Sequence, residues 1–547
     1  MAKAPSATPR VPTAAPSRWP PRRVWITLAS LSAAAALVRA GMLEAVAGSI
    51  VDQAVRNIIT LILAFSGLMS LLVWFLRESG HAKPLKQMIL GGLLGMVVVA
   101  AGVLRIERVS GDLVPEFTWR WAPARDRLLP KSEPADSRAA AAWTAGAEDF
   151  PRFLGPSGSG SIDGPAIAAD WEARPPREIW RRPIGAGWGG FAVCGGHAVT
   201  LEQRGDEEVV ACHALADGTP AWSVPIRSRH ETVLGGVGPR STPTIRDGVV
   251  YSTGATGWLH AIEGTTGRVL WRKNVLDDLG IDFDAHAAAV AWGRSGSPLV
   301  TESLVIVPGG GPLGGESGGA VSLAAYDRAT GARAWQGGDE QISYVSPVLV
   351  AIGGRDVVLT VNEGSVAAYD PVDGRELWSF PWPGHSNSDA SCSQPHVLAD
   401  GRIFISKGYG IGAAVFAAEP GAEPPVFRPV WSQPSLLKTK FTNVVIHDGH
   451  AYGLSDGILE CVRLADGKRA WKGGRYGQGQ VLRVGDLLVV QAESGEVVLV
   501  DCSAARHSVR GRLAAIKGQT WNNPAVAGDR LLVRNAEEAA CYALPLR

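Results

Sequence analysis

The stretches AAYDRATGARAW (residues 324–335) and AAYDPVDGRELW (residues 367–378) write nearly the same dozen residues twice. Each runs small residues, an aromatic and an acid, then a turn Gly, then a Trp four residues after that Gly. The pattern recurs in CHALADGTPAW ending at Trp222, HAIEGTTGRVLW ending at Trp271 and CVRLADGKRAW ending at Trp471. A weaker copy, PVFRPVW, ends at Trp431 and lacks the Gly. The Trp markers are separated by 40 residues (Trp431 to Trp471) to 64 residues (Trp271 to Trp335). A period of that size means a solenoid, a propeller or an array.

The local chemistry selects among these. Short apolar runs flank each Gly, and Asp-Gly or Thr-Gly marks a hairpin turn because Gly accepts positive φ without steric cost. Each motif is therefore two antiparallel strands and their turn. Two more short strands lie upstream, as in STPTIRDGVVYSTG (residues 241–254). Four strands per unit at this period is a propeller blade. The expected fold is an all-β, eight-bladed β-propeller over residues 148–547. Seven blades are marked by Trp222, Trp271, Trp335, Trp378, Trp431, Trp471 and a degenerate unit near Leu513. The eighth is split: NPAVAGDRLLVRNAEEAACYALP (residues 523–545) supplies three strands, and REIWRRPI (residues 177–184), with Trp180, supplies the fourth. The last residues are then structural. Cys212, Cys461 and Cys541 hold the motif position occupied elsewhere by Ala261, Ala325 and Ala368, where a small buried residue is wanted. One disulfide, Cys194 to Cys212 within a blade, is the pairing to check.

Composition bounds the rest. The chain has 547 residues, 46% of them apolar, and a net charge of +1, which points to no nucleic-acid partner. Residues 1–23 read as a disordered basic cytoplasmic arm. Residues 24–104 hold three apolar runs (24–43, 57–76 and 88–104), read as a three-helix transmembrane anchor. The competing reading is a signal peptide followed by two buried core helices. Arg77, Lys83 and Lys86 make the second loop basic, which places it and the arm inside and the propeller in the periplasm or cell exterior of a bacterium. Residues 105–147 are a juxtamembrane segment and linker, with Trp119 and Trp121 either as interfacial anchors or simply packed.

The Asp, Gly, Trp pattern at Asp327, Gly331 and Trp335 and at Asp370, Gly374 and Trp378 resembles the tryptophan-docking repeat of the pyrroloquinoline quinone (PQQ)-like propellers. That family includes quinoprotein alcohol and glucose dehydrogenases and the outer-membrane assembly factor BamB. DFPRFLGPSGSG (residues 149–160) resembles the lead-in segment of such repeat proteins. The resemblance implies indoles docked between neighbouring blades. It also implies one of two activities. The first is a membrane-anchored module binding an envelope protein or polymer, without catalysis or cofactor. The second is a membrane quinoprotein dehydrogenase using PQQ and calcium to oxidise an alcohol or sugar and reduce membrane quinone.

Such a cofactor needs an aromatic floor, cations for its carboxylates, hard oxygens for calcium and a carboxylate base. Candidate channel-lining residues from the first strand of each blade are Trp188, Arg240, Arg294, Lys440, Trp521 and Asn522, with Tyr344, Gln394 and Gln480 beside them. No adjacent Cys-Cys pair and no Asp/Asn/Glu set for calcium is evident on these strands. His385, Asp389, Cys392 and His396 lie within twelve residues but lack the tight ligand pairs of a zinc site. The glycine run PGGGPLGGESGG (residues 308–319) precedes a strand and reads as a hairpin loop. Glu202, Arg204, Asp206, Glu207 and Glu208 read as a solvated hairpin tip.

Overall fold

The computed structural model describes residues 17–42, 52–130, 143–144, 146–233, 235–314 and 318–547. Most of the basic arm, the end of the first apolar run with Glu44, much of the linker and residues 315–317 of the glycine run lie outside the described residues. The chain forms two units: residues 1–106 with 112–122, and residues 107–111 with 123–547.

The first unit is helical. Its helices are α1 (Arg22–Arg39), α2 (Gln53–Arg77) and α3 (Lys83–Val103). The Asp52 carboxylate caps α2 by accepting from Val55 N at 2.9 Å. Helix α2 packs on α1 at Gly67, where a Cβ would make an ordinary 3.5 Å contact with Leu28. Helices α2 and α3 are long and apolar enough to cross a membrane, and their apolar windows are 6% and 0% buried. Core helices of a soluble domain would be covered. Helix α1 carries Arg22 and Arg23 at one end and Arg39 at the other, so two clear candidate spans stand where three were expected. Trp119 and Trp121 are both exposed and stack on one another at 5.5 Å.

The second unit is an eight-bladed propeller of four-stranded antiparallel sheets taken in chain order, blade 7 carrying Ser161–Ile162 as a fifth, parallel strand. Blades 1 to 7 span residues 192–227, 244–274, 299–337, 348–381, 396–433, 444–475 and 480–514. Blade 8 joins three strands from residues 525–543 to the early strand Arg177–Pro183, with Trp180 opposite Cys541. The two ends of the domain close the ring, as the split motif requires. The last residues are pinned: Ile167 pairs with Leu546, and Arg547 N donates to Ala166 O at 2.9 Å.

One cross-strand pair defines every blade. The small or apolar residue of the third strand faces the marker of the fourth: Cys212–Trp222, Ala261–Trp271, Ala325–Trp335, Ala368–Trp378, Val415–Trp431 and Cys461–Trp471. A register shift follows this pair in each blade, the bulge that re-aims the Trp toward the next blade. There the indole lies on the turn Gly. A Cβ on Gly218, Gly267, Gly331, Gly374 or Gly467 would come within 2.3–2.9 Å of Trp180, Trp222, Trp271, Trp335 or Trp431. All five glycines also have positive φ, from 65° to 74°. Each Nε1–H then donates to a carbonyl in the same neighbouring turn, as in Trp271 to Arg328 O at 2.9 Å and Trp431 to Leu464 O at 2.8 Å.

Two blades depart from the rule. Blade 5 lacks the Gly, and Phe427 packs on Trp378 at 4.5 Å instead. Blade 7 has Gly511 at the Trp position, and Trp171 from the lead-in segment packs over it, so near that a Cβ would stand 2.6 Å away. The small-residue reading of the cysteines holds. All six are free thiols, so Cys194 and Cys212 are not bridged: Cys212 faces Val199 and Trp222, and Cys194 faces His197.

Candidate functional site

The first strands of neighbouring blades pack against one another and therefore surround the axis. At one end of that axis the lead-in segment crosses the ring. Phe150 pairs with Val193 of blade 1, and Pro151 O accepts from Ile245 N of blade 2 at 2.7 Å. Gly160 lies on Val445 of blade 6, and Ser161 pairs with Arg483 of blade 7. Blades 2 and 6 face each other in a ring of eight, so this end is strapped by the protein's own chain.

Around the axis runs a ring of hydrogen bonds from blade to blade. Gly190 N donates to Thr242 Oγ1 at 2.9 Å, Thr242 N to Ser297 Oγ at 2.9 Å and Ser297 N to Ser346 Oγ at 2.9 Å. Ser346 N donates to Gln394 Oε1 at 3.1 Å, and Gln394 N to Asn443 Oδ1 at 3.0 Å. Gln480 Nε2 carries on to Phe441 O at 3.2 Å and Trp521 O at 3.0 Å. Asn522 Nδ2 closes the circle on Gly187 O at 3.1 Å and Gly189 O at 2.7 Å. Gln394, Gln480 and Asn522, candidates for lining a ligand channel, thus join blades. Buried amides with such partners stabilise, whereas a buried amide left alone is costly.

Two residues before the ring positions lie Trp188, Arg240, Tyr344, Phe441 and Gln478, and Trp521 directly precedes Asn522. Three of them make an aromatic wall across blades 6, 8 and 1: Trp188–Trp521 centroids are 4.7 Å apart and Phe441–Trp521 4.9 Å. Trp188 Nε1 donates to Gly235 O at 3.0 Å, and Trp521 Nε1 to Glu493 Oε1 at 2.9 Å. Gln478, fully buried between Phe441 and Trp521 in the ring order, has neither amide atom hydrogen-bonded.

The cations are placed differently. Arg240 donates to the carbonyls of Trp292 and Gly235, and burial holds its guanidinium down to about 10. Arg294 donates to Gly309 O at 2.5 Å and to Pro308 O, and burial lowers it likewise. Lys440 is 4% exposed and reaches Gly111 O at 3.4 Å. Tyr344 gives its hydroxyl to Ser386 O and accepts from Trp292 N. The structure brings together Trp188, Trp521 and, beside them, Lys440; it turns Arg240 and Arg294 onto backbone. Phe441, Gln478 and Glu493 escaped the sequence reading. For Phe441 and Gln478 the signal is the two-residue offset from Asn443 and Gln480; Glu493 lies in the turn after the strand Leu487–Gln491 and carries no such signal.

The donor set offers a tricarboxylate quinone fewer partners than the sequence implied. Both guanidiniums bind carbonyl oxygens, the two indoles of the wall are tilted 38° to each other, and among the described residues no three His, Cys, Asp or Glu are arranged to hold a metal ion. The compact His/Asp/Cys segment disperses. His385 pairs with Asp389 at 2.9 Å, Asp389 also takes the buried Lys407 at 3.2 Å, and His396 is buried against Phe404. The expected solvated tip is also corrected. Glu202 is fully buried, bound to Arg204 and Gly185 N, and Glu208 is buried on Ala255 N at 2.9 Å, its carboxyl pushed up to about 7 by burial. Both faces of these two strands are covered, which buries Glu202 and Glu208 and leaves Asp206, in the turn, exposed.

Residues 172–473 match the family model described as outer membrane protein assembly factor BamB. That is more than half the chain, and the protein belongs to this family of PQQ-like propellers. The BamB of Yersinia pestis is 24% identical over 56% of this chain and 70% of its own length. The quinohemoprotein alcohol dehydrogenase ADH-IIG of Pseudomonas putida is 30% identical over 26% of this chain, and the match spans only 19% of that protein. Among solved structures, the quinohemoprotein alcohol dehydrogenase of Comamonas testosteroni superposes with a TM-score of 0.52 at 14% identity, over 72% of this chain and 80% of that one. At that identity the likeness is one of fold.

Proposed function

We propose that this protein is a membrane-anchored binding module, a propeller that recognises a protein or polymer of the bacterial envelope and does no chemistry. The observation that carries the reading is the fate of the axial polar residues: Arg240 and Arg294 are spent on backbone carbonyls, and Gln394, Gln480 and Asn522 hold neighbouring blades together. Membership of the BamB family supports an envelope protein partner. Helices α1 to α3 act as three spans in this reading, with the arm cytoplasmic, the propeller periplasmic and residues 105–147 linking them. Arginines confined to the ends of α1 suit snorkelling to the interface.

The test is crosslinking of the full chain in envelopes followed by purification. A discrete partner retained through the propeller supports the module. Stoichiometric uptake of PQQ in the presence of calcium, with dye-linked oxidation of an alcohol or sugar, overturns it in favour of the dehydrogenase. Alkaline phosphatase fused after Arg547 is expected to be active, and an inactive fusion refutes the topology.

A further inference from the structure

The residues 107–111 belong to the propeller unit, and their last member sits on the axial wall. Gly111 N donates to Glu493 Oε1 at 3.3 Å, and its carbonyl accepts from Lys440 Nζ at 3.4 Å. The backbone of one residue is thus held on both sides, its N–H by a fixed carboxylate and its carbonyl by a buried ammonium. Glu493 is itself held in place, since it also accepts from Trp521 Nε1 at 2.9 Å and from Gln478 N at 2.9 Å. The residue between those contacts must be glycine. A Cβ on Gly111 would stand 2.5 Å from Gln478 Cγ and 3.2 Å from Phe441 Cζ. Arg108 adds an ion pair to Glu537 at 3.3 Å.

We propose that Lys440, Glu493, Phe441, Gln478 and Trp521 form a receptor for a glycine-bearing backbone turn of a partner protein, and that residues 107–111 are a tethered competitor occupying it. The unsatisfied amide of Gln478 supplies the donor and acceptor that a longer partner turn would use. This rests on the binding-module reading and names the chemistry of its partner. A short tether presents its own segment at an effective concentration in the millimolar range, so a free ligand must exceed that or find the segment displaced.

The experiment uses the full chain in detergent, wild type and Gly111→Val, with two synthetic peptides. One is ERVSGDLVP, the sequence of residues 107–115; the other has Val for its Gly. Saturation-transfer NMR at about 1 mM peptide, a concentration matched to the tether, reads binding. Gly111→Val is expected to give at least fivefold more transfer to the glycine peptide than wild type and none to the valine peptide. Adding Lys440→Ala is expected to abolish that transfer while the thermal midpoint of the Gly111→Val chain stays within a few degrees of wild type. Equal transfer in wild type and variant, equal transfer to both peptides, or none at all overturns the receptor. Failure to capture an envelope partner while Gly111→Val still takes the peptide sinks the proposed function alone; the reverse sinks only the receptor.

Discussion

Blade 4 offers two glycines with the same backbone conformation and different surroundings. Gly374 has φ 74° and Gly354 has φ 78°. A Cβ at Gly354 meets nothing within 4 Å, whereas at Gly374 it would lie 2.3 Å from Trp335 Cε3. Alanine at either site costs the left-handed strain of about 1–2 kcal/mol. At Gly374 it adds crowding of about 1–3 kcal/mol, because the indole is fixed by its bond to Pro371 O. Unfolding entropy near 2.1 cal/mol/K per residue over about 400 residues makes each kcal/mol worth about 1 °C. Gly354→Ala is then expected to lower the melting temperature of the full chain by about 1–2 °C and Gly374→Ala by about 2–6 °C, measured by calorimetry under one set of conditions. Equal shifts would refute the claim that indole docking, and not turn geometry alone, requires the glycine.

Trp271→Phe removes the donor to Arg328 O and is expected to lower stability by about 1 kcal/mol, read as a melting shift. Cys461→Ala keeps a small residue opposite Trp471 and is expected to cost under about 1.5 kcal/mol, whereas Cys461→Leu overpacks and costs more. Burial holds His213, His230, His260 and His396 down to about 4 and His286 to about 3, below the ordinary 6.5. The unfolded chain binds more protons across that window, so stability is full above pH 6.5 and falls as pH drops toward 4, a slope that urea titrations at stepped pH would show. Glu208 acts oppositely: its folded pKa of about 7 means the unfolded chain releases its proton first, so its contribution is present below pH 4.5 and lost as pH rises through 7. Glu208→Gln is expected to remove that part of the slope.

The fold was legible because its determinants are local and repeated. Trp335 and Gly331 must sit four residues apart for one blade to dock on the next, so packing writes itself into spacing. Even the split blade was readable, since Trp180 lacks a partner strand nearby and Cys541 lacks a Trp. The site was harder. Lys440 and Phe441 both reach Gly111 because they precede the strand Val444–His447, in backbone that a period of two does not govern. Arg240 and Arg294 show a second limit: composition reports a cation but not the carbonyls of Trp292 and Pro308 that claim it. Glu202 and Glu208 show a third, because a charged cluster at a hairpin looks solvated until the neighbouring blade covers it. No periodic signal foretold that Trp171 would fill the place of Gly511, since that contact joins segments far apart in the chain.

The split blade also sets a clock on folding. Glu178 receives the Tyr542 hydroxyl across 364 residues, so the first-made strand of the ring must wait for nearly the last. At a synthesis rate of about 5–20 residues per second, that wait is roughly 20–70 s. Throughout it the ring is open, with the packing face of blade 1 bare on one flank and that of the latest-made blade on the other, and such exposed apolar surface invites aggregation. A holding factor that shields those two flanks would speed maturation without touching any finished contact.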